Sequence, residues 1–234
     1  FIVLVIFNFL FTTVLDYLND KNWKDEIPDD LKDFYDSSTY LKAKKYKIER
    51  GRLSSISSSL NLIFTVLMLY FYGFGFISDY AISLSDSVIV QSSIFFMIFH
   101  LITYFLGIPF SYYSTFVIEE KFGFNKTDLK TFIIDKIKSL IMSVILIIGL
   151  TSIAVLIIGF FSTGFWLLLW IGLSLFMLFL NMFYADLIVP IFNKLTPLED
   201  GELRKKIEAY SKKVGYSLKN IFVIDGSKRS SKAN

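Results

Sequence analysis

The sequence predicts an all-α polytopic membrane protein, five transmembrane helices followed by the start of a cytoplasmic α+β domain. Three observations predict it. Of 234 residues, 54% are hydrophobic and 18% aromatic, whereas only 19% are charged. The charges are gathered into patches that leave long stretches without any, as in chains that thread a bilayer repeatedly. Finally, loops rich in Lys and Arg alternate strictly with loops that have none.

A helix needs about 20 apolar residues to cross a bilayer. The first span covers about 1–15, broken only by Asn8, Thr12 and Thr13 and clipped at its start. The second covers about 56–77, with a serine-rich lead-in, and the third about 88–110. The fourth, about 139–161, is nearly pure aliphatic, and the fifth covers about 165–188. Helices are the expected form, because a strand in lipid must close into a barrel to satisfy its backbone. These runs also lack the alternation of barrel strands.

The loops orient the spans. The first, 16–52, carries nine Lys or Arg residues between Lys21 and Arg52, and the third, 111–138, carries five between Lys121 and Lys138. The second, 78–87, has only Asp79 and Asp86, and the fourth, 162–164, has no charge. By the positive-inside rule the two basic loops and the basic tail face the cytoplasm, and the amino terminus lies on the outer or lumenal side. The sequon Asn125-Lys126-Thr127 then sits on the cytoplasmic side and is expected to be unmodified. In the first loop, Ile27-Pro28-Asp29-Asp30-Leu31 reads as a turn entering a helix, and Leu41, Lys45, Ile48 and Arg52 continue that helix into the second span. It suits a helix lying on the membrane surface and a solvated helical hairpin equally.

The tail reads as the opening of a soluble domain. Thr196, Pro197 and Glu199 have the spacing of a capping box with Pro at the first helical position. Leu203, Ile207, Tyr210 and Val214 give the following helix one apolar face, and Gly215 ends it. Residues 220–225, NIFVID, read as a buried strand running into a turn. One helix and one strand cannot bury a core, so the chain reads as a piece of a longer protein. It starts on Phe1, and its first apolar run lacks the basic start and cleavage site of a signal peptide.

Candidate chemistry is sparse. There is no cysteine, and His100 is the only histidine, so a two-histidine zinc site cannot be built from this chain alone. His100 in the third span suits a proton relay or ligand, but a hydrogen bond to a neighbouring helix is the favoured reading. Asp186 either lines an aqueous cavity or reaches the interface. Asn8, Asn61 and Asn181 suit interhelical hydrogen bonds, and also a wet interior. Glu119-Glu120 resembles the glutamate pair of another group of intramembrane proteases. In that group Arg follows four positions later, where this chain has Phe124, so an interfacial acidic turn is the better reading. There is no GxSxG, no phosphate-cradling glycine loop and no H-E-x-x-H.

Three blocks, in order, carry a resemblance: FVIEEKFGFNK at 116–126, PIFNKLTPLEDGELR at 190–204 and FVIDGSKRSSKAN at 222–234. With the five preceding spans they resemble the amino-terminal half of the type 1 CAAX prenyl protease family, integral-membrane zinc metallo-endopeptidases. The resemblance implies seven spans around an intramembrane chamber in the whole protein. It implies a zincin-like domain that starts within this chain and takes its zinc motif and general base from residues after it. The division it suggests is 1–190 as the transmembrane domain and 191–234 as the beginning of the metallopeptidase domain. The third block resembles the segment leading into the strand that pairs with substrate, so Ser230, Ser231 and Asn234 are expected to border the substrate. Lys232 stands where some relatives carry His. The resemblance implies proteolysis of C-terminal CAAX-type or membrane-protein substrates, with zinc in the whole protein and none bound by this chain alone. It also implies that this chain alone is inactive. Expected partners are the lipid bilayer and a peptide or prenylated-protein substrate, with no nucleic acid. The expected location is the bacterial inner membrane or the endoplasmic reticulum. A transporter or channel subunit and a non-catalytic scaffold are the rival readings.

Overall fold

The computed structural model describes residues 1–29, 32–33, 36–161 and 163–232. Five of its helical stretches are long and apolar enough to cross a membrane: Ile2–Asn22, Ser37–Tyr70, Val88–Glu119, Leu129–Phe160 and Phe165–Phe192. Most of these helices outrun the apolar stretches that announce them. α1 (Ile2–Asn22) continues seven residues past the apolar run, and α5 (Leu129–Phe160) starts well before it. Charged turns at a helix end cost little where the end reaches water, so the helix need not stop where the hydrocarbon does.

Residues 1–125 and 143–156 form one compact unit. In it α1 packs along α2 (Ser37–Tyr70), and α2 packs on α3 (Gly73–Leu84) and α4 (Val88–Tyr113). The described residues of the long basic loop thus lie largely in the end of α1 and the start of α2, which is continuous with the second span, and the turn expected at 27–31 lies partly outside the described residues. No separate surface helix lies among its described residues. Asp36 caps α2, its carboxylate accepting from the Thr39 N–H at 2.8 Å and from the Ser38 and Thr39 hydroxyls. These bonds hold its pKa well below the usual carboxylate range, the Ser38 hydroxyl contributing most.

The second span differs from expectation. The helix stops at Tyr70, and Tyr72 takes a left-handed conformation at φ 59°. Residues 73–77 belong instead to α3, which runs on through most of the expected second loop to Leu84. A left-handed tyrosine is costly. Two glycines just after it, Gly73 and Gly75, weaken any helix trying to run through. α4 contains Pro109 and passes into a π-helical segment, Ser114–Glu119. The most enclosed apolar side chains of this unit are Ile77, Ala81, Ile118 and Phe122, at the α3 and Ser114–Glu119 ends of the helices. The span surfaces stay open, as expected where lipid is the solvent.

Residues 126–142 and 157–234 form the second unit. It holds the start of α5, α6 (Phe165–Phe183), a second π-helical segment (Tyr184–Ile188), α7 (Val189–Phe192), β1 (Leu195–Pro197), α8 (Glu202–Lys213) and β2 (Phe222–Ile224). Asp128 caps α5 by accepting from the Thr131 N–H at 2.7 Å, and the Thr131 hydroxyl, followed by that N–H, lowers its pKa. β1 and β2 pair antiparallel with Leu195 opposite Ile224 and Pro197 opposite Phe222. The capping box expected at Thr196 is therefore not formed. Thr196 and Pro197 lie in a strand, the Thr196 hydroxyl points at the Val223 carbonyl at 3.4 Å, and α8 starts five residues later, after Gly201. Pairing with a distant segment outcompeted a local cap.

The end of α8 follows its sequence. Gly215 has φ 70°, its N–H donates to Lys212 O, and Tyr216 N–H donates to Ser211 O at 2.9 Å. These are the two bonds of a Schellman motif. The expected apolar face is only partly used. Ile207 is half-buried and Ser211 buried, while Leu203, Tyr210 and Val214 are exposed among the described residues.

Candidate functional site

The second and third sequence blocks meet in the second unit. Strand pairing joins 195–197 to 222–224, and Asp225 extends the join by accepting from the Lys194 N–H at 2.8 Å. A single 3-10 turn, Gly226–Lys228, then leads into Arg229.

Arg229 is the best-connected side chain of this region. Its Nε donates to Asp135 Oδ2 at 2.6 Å and its Nη2 to Asp135 Oδ1 at 2.9 Å, a two-pronged ion pair. Nη2 also donates to the Phe192 carbonyl at 2.6 Å, and Nη1 donates to Asn193 Oδ1 at 2.7 Å. The Arg229 carbonyl accepts from the Lys126 N–H and the Thr127 hydroxyl, each at 3.1 Å. The Arg229 and Asp135 side chains are about a quarter exposed, at 24% and 23%. The bonds to Asp135 raise the guanidinium pKa above its ordinary value, against the opposing pull of burial. Lys138 adds a bond from its Nζ to the Ile191 carbonyl at 2.7 Å.

Sequence reasoning carried Arg229 only within the block 222–234, without a role, and overlooked Asp135. A signal was present. Asp135 follows Phe132, Ile133 and Ile134, and a carboxylate entering an apolar helix calls for a cationic partner.

The expected substrate-bordering residues come directly after Arg229. Ser230 is half-buried, donates its N–H to Gly226 O at 3.3 Å and accepts the Lys232 N–H on its hydroxyl at 3.1 Å. Ser231 is exposed. Asn234 lies outside the described residues.

In the first unit, His100 Nε2 is 2.7 Å from Ser143 Oγ on α5, and Ser93 Oγ is 3.1 Å from Thr151 Oγ1 one step along the same helix pair. These are interhelical bonds of the kind favoured for His100. The asparagines divide. Asn181 bonds to the Met177 carbonyl of its own helix at 2.8 Å. Asn8 and Asn61 line a cleft of about 780 Å³ between α1 and α2, together with Asp16, Asp20, Lys47 and Ser58. A wet interior suits this lining better than interhelical glue. Asp186 is exposed in the second π-helical segment.

Glu119 ends the first π-helical segment and accepts from the Tyr46 hydroxyl at 2.6 Å and from Arg50 Nη1 at 3.2 Å. Lys121 pairs with Glu49. Phe122 and Phe124 meet the Tyr46 ring edge-on at 5.2 and 5.1 Å. The Glu119-Glu120 stretch is thus tied down by α2, in keeping with the structural reading.

A zinc site does not fit the described residues. Among the described residues no three His, Cys, Asp or Glu side chains converge. The chain's one histidine is hydrogen-bonded to a serine hydroxyl inside the helix bundle.

Comparison with known proteins adds to this geometry. The family model described as CAAX prenyl protease N-terminal, five membrane helices, matches residues 16–194. The CAAX prenyl protease 1 of Saccharomyces cerevisiae is 34% identical over 237 residues, covering 97% of this chain and 52% of that protein. The CAAX prenyl protease 1 homolog of Homo sapiens is 33% identical over 215 residues, covering 89% of this chain and 45% of that protein. The crystal structure of S. mikatae Ste24p matches with a TM-score of 0.89 and 35% identity, covering all of this chain and 56% of that one. The chain spans about half the length of the relatives it matches. It belongs to the CAAX prenyl protease amino-terminal family.

Proposed function

We propose, with membership of that family as the premise, that this chain is the membrane-spanning amino-terminal region of an integral-membrane zinc metallo-endopeptidase. The observation that carries the reading is a family match over five membrane helices, joined to a TM-score of 0.89 along the whole chain. The substrates are C-terminal CAAX-type proteins, the class named in the relatives, or other membrane proteins. Residues 1–190 serve as the transmembrane domain and 191–234 as the first part of the metallopeptidase domain. Basic loops 16–52 and 111–138 and the tail lie in the cytoplasm, in the endoplasmic reticulum or a bacterial inner membrane. Ser230, Ser231 and Asn234 border the substrate strand.

A zinc ion held in the whole protein would supply Lewis-acid activation of a water. Its ligands are assigned to residues outside this chain. This chain contributes spans, a polar cleft and the approach to the substrate strand.

The test compares this chain with the full-length protein, each purified in lipid with zinc and given a prenylated peptide. The full-length protein cleaves and a chelator stops it, while this chain alone does not turn over. Chelator-sensitive cleavage by this chain, or none by the full-length protein, would overturn the reading. Orientation is checked separately. The chain has no cysteine, so Lys212→Cys and Lys228→Cys report alone. Both are expected to react with an impermeant thiol reagent from the cytoplasmic side only.

A further inference from the structure

We infer that Arg229 is a positioning residue. Its guanidinium fork holds the backbone that enters the substrate-bordering segment at a fixed place on α5 and the 192–193 turn. This rests on the reading above, in which Ser230 and Ser231 border the substrate.

The geometry is that of a clasp. Four bonds leave one guanidinium, two to Asp135, one to the Phe192 carbonyl and one to Asn193 Oδ1. They reach α5 and the end of α7, segments 94 and 36 residues away in sequence. Two more bonds end on the carbonyl of the same residue, from Lys126 and Thr127. Both side chain and backbone of Arg229 are thereby fixed. Four residues earlier, Asp225 exchanges bonds with the backbone of Lys194. The segment from 225 to 229 is therefore tied at both ends.

Beyond Arg229, Ser230 and Lys232 are half-buried and Ser231 is exposed. Ser230 has a weak 3.3 Å bond back to Gly226. Consecutive Cα atoms are about 3.8 Å apart, so a shift at Arg229 passes almost undiminished to Ser230. An ion pair three-quarters buried also carries a desolvation cost, and replacing such pairs with apolar residues is often neutral or stabilising. A bond set this costly, placed one residue before the proposed substrate edge, favours registration over bulk stability. Lysine could not reproduce it, because a point charge cannot make the two-pronged contact with Asp135.

A strand that receives substrate backbone binds ground state and transition state alike. Displacing it removes uniform binding, which raises KM and leaves kcat largely unchanged. The experiment uses the zinc-loaded full-length protein in lipid and a prenylated peptide. kcat and KM are measured for the unaltered protein, Arg229→Lys, Asp135→Asn, the double variant and Lys206→Ala. Lys206 sits in an exposed ion pair on α8 and serves as the control. Each single substitution is expected to raise KM about tenfold, the loss of roughly one charge-assisted hydrogen bond, with kcat within about threefold. The double variant is expected to be no worse than either single, because both remove one interaction. Zinc content is expected to stay near that of the unaltered protein, while the melting midpoint falls, because each variant weakens a largely buried ion pair.

An unchanged KM in Arg229→Lys overturns the inference, and so does a fall confined to kcat or a fully additive double variant. Should Arg229→Lys fail to fold, Asp135→Glu keeps the charge and shifts the carboxylate by one methylene, and the same KM criterion decides. If the unaltered full-length protein fails to cleave, the protease reading falls and this inference with it. If it cleaves and the variants keep native KM, only this inference falls.

Discussion

Each unit of the molecule contains a π-helical segment with a carboxylate, and the two carboxylates meet opposite circumstances. Ser114–Glu119 delivers Glu119 to the Tyr46 hydroxyl and Arg50, with its side chain only 14% exposed. Tyr184–Ile188 carries Asp186, exposed and with no hydrogen-bond or ion-pair partner among the described residues. A π turn widens the helix by one residue and re-aims the side chains after it. In the first unit that re-aiming is matched by a docked loop. In the second it presents a charge to open space. The same backbone irregularity thus serves as a fastening in one place and as a display in the other, and only the partners tell them apart.

The largest expected effect breaks the fastening. Glu119→Ala removes the carboxylate that accepts from the Tyr46 hydroxyl and from Arg50, although Arg50 keeps its 3.3 Å bond to the Tyr46 oxygen, and should cost about 1–3 kcal/mol. Thermal unfolding in detergent micelles measures it, and an unchanged midpoint would put Glu119 in the same class as Asp186. Tyr46→Phe removes the hydroxyl's bond to Glu119 and its bond from Arg50 and keeps the ring against Phe122 and Phe124, so the cost should be about 1–2 kcal/mol. If Tyr46→Phe costs as much as Glu119→Ala, the ion pair with Arg50 contributes nothing.

The smallest expected effects lie on the exposed side. Asp186→Asn should change stability by less than about 0.5 kcal/mol. A larger loss would reveal a partner for Asp186 in the folded protein. Acid titration sharpens the contrast further. The folded pKa of Asp128 is depressed by its bond to Thr131. Its contribution is therefore complete above the unfolded carboxylate pKa of about 4 and is lost as pH falls through the lower folded value. Asp128→Asn keeps a capping group without the charge, so it should flatten the acid limb of the stability curve below about pH 4 and change little at neutral pH.

Much of this architecture could be read from the residues because local patterns decided it. The aliphatic run after Ser139 could only be a span, and Gly215 ends α8 with the left-handed turn its position calls for. NIFVID reads as a buried strand, and a strand forms at 222–224, but all three of its residues are exposed. Patterns failed where a distant partner decided. Thr196, Pro197 and Glu199 have the spacing of a cap, but β2 competes for the same backbone and wins. Tyr72 looks like one more aromatic in a span until the left-handed turn separates α2 from α3. The Arg229–Asp135 pair joins positions 94 residues apart, a separation that no window along the chain can bridge.

The length of α2 has a mechanical consequence. It is a single rod of 34 residues, about 51 Å long at ~1.5 Å per residue, against a hydrocarbon layer of about 30 Å. Its Tyr46, Glu49 and Arg50 lie near the end that overshoots the lipid, and they grip the loop after α4. The altitude of that loop above the bilayer is therefore set by counting residues along a stiff mast.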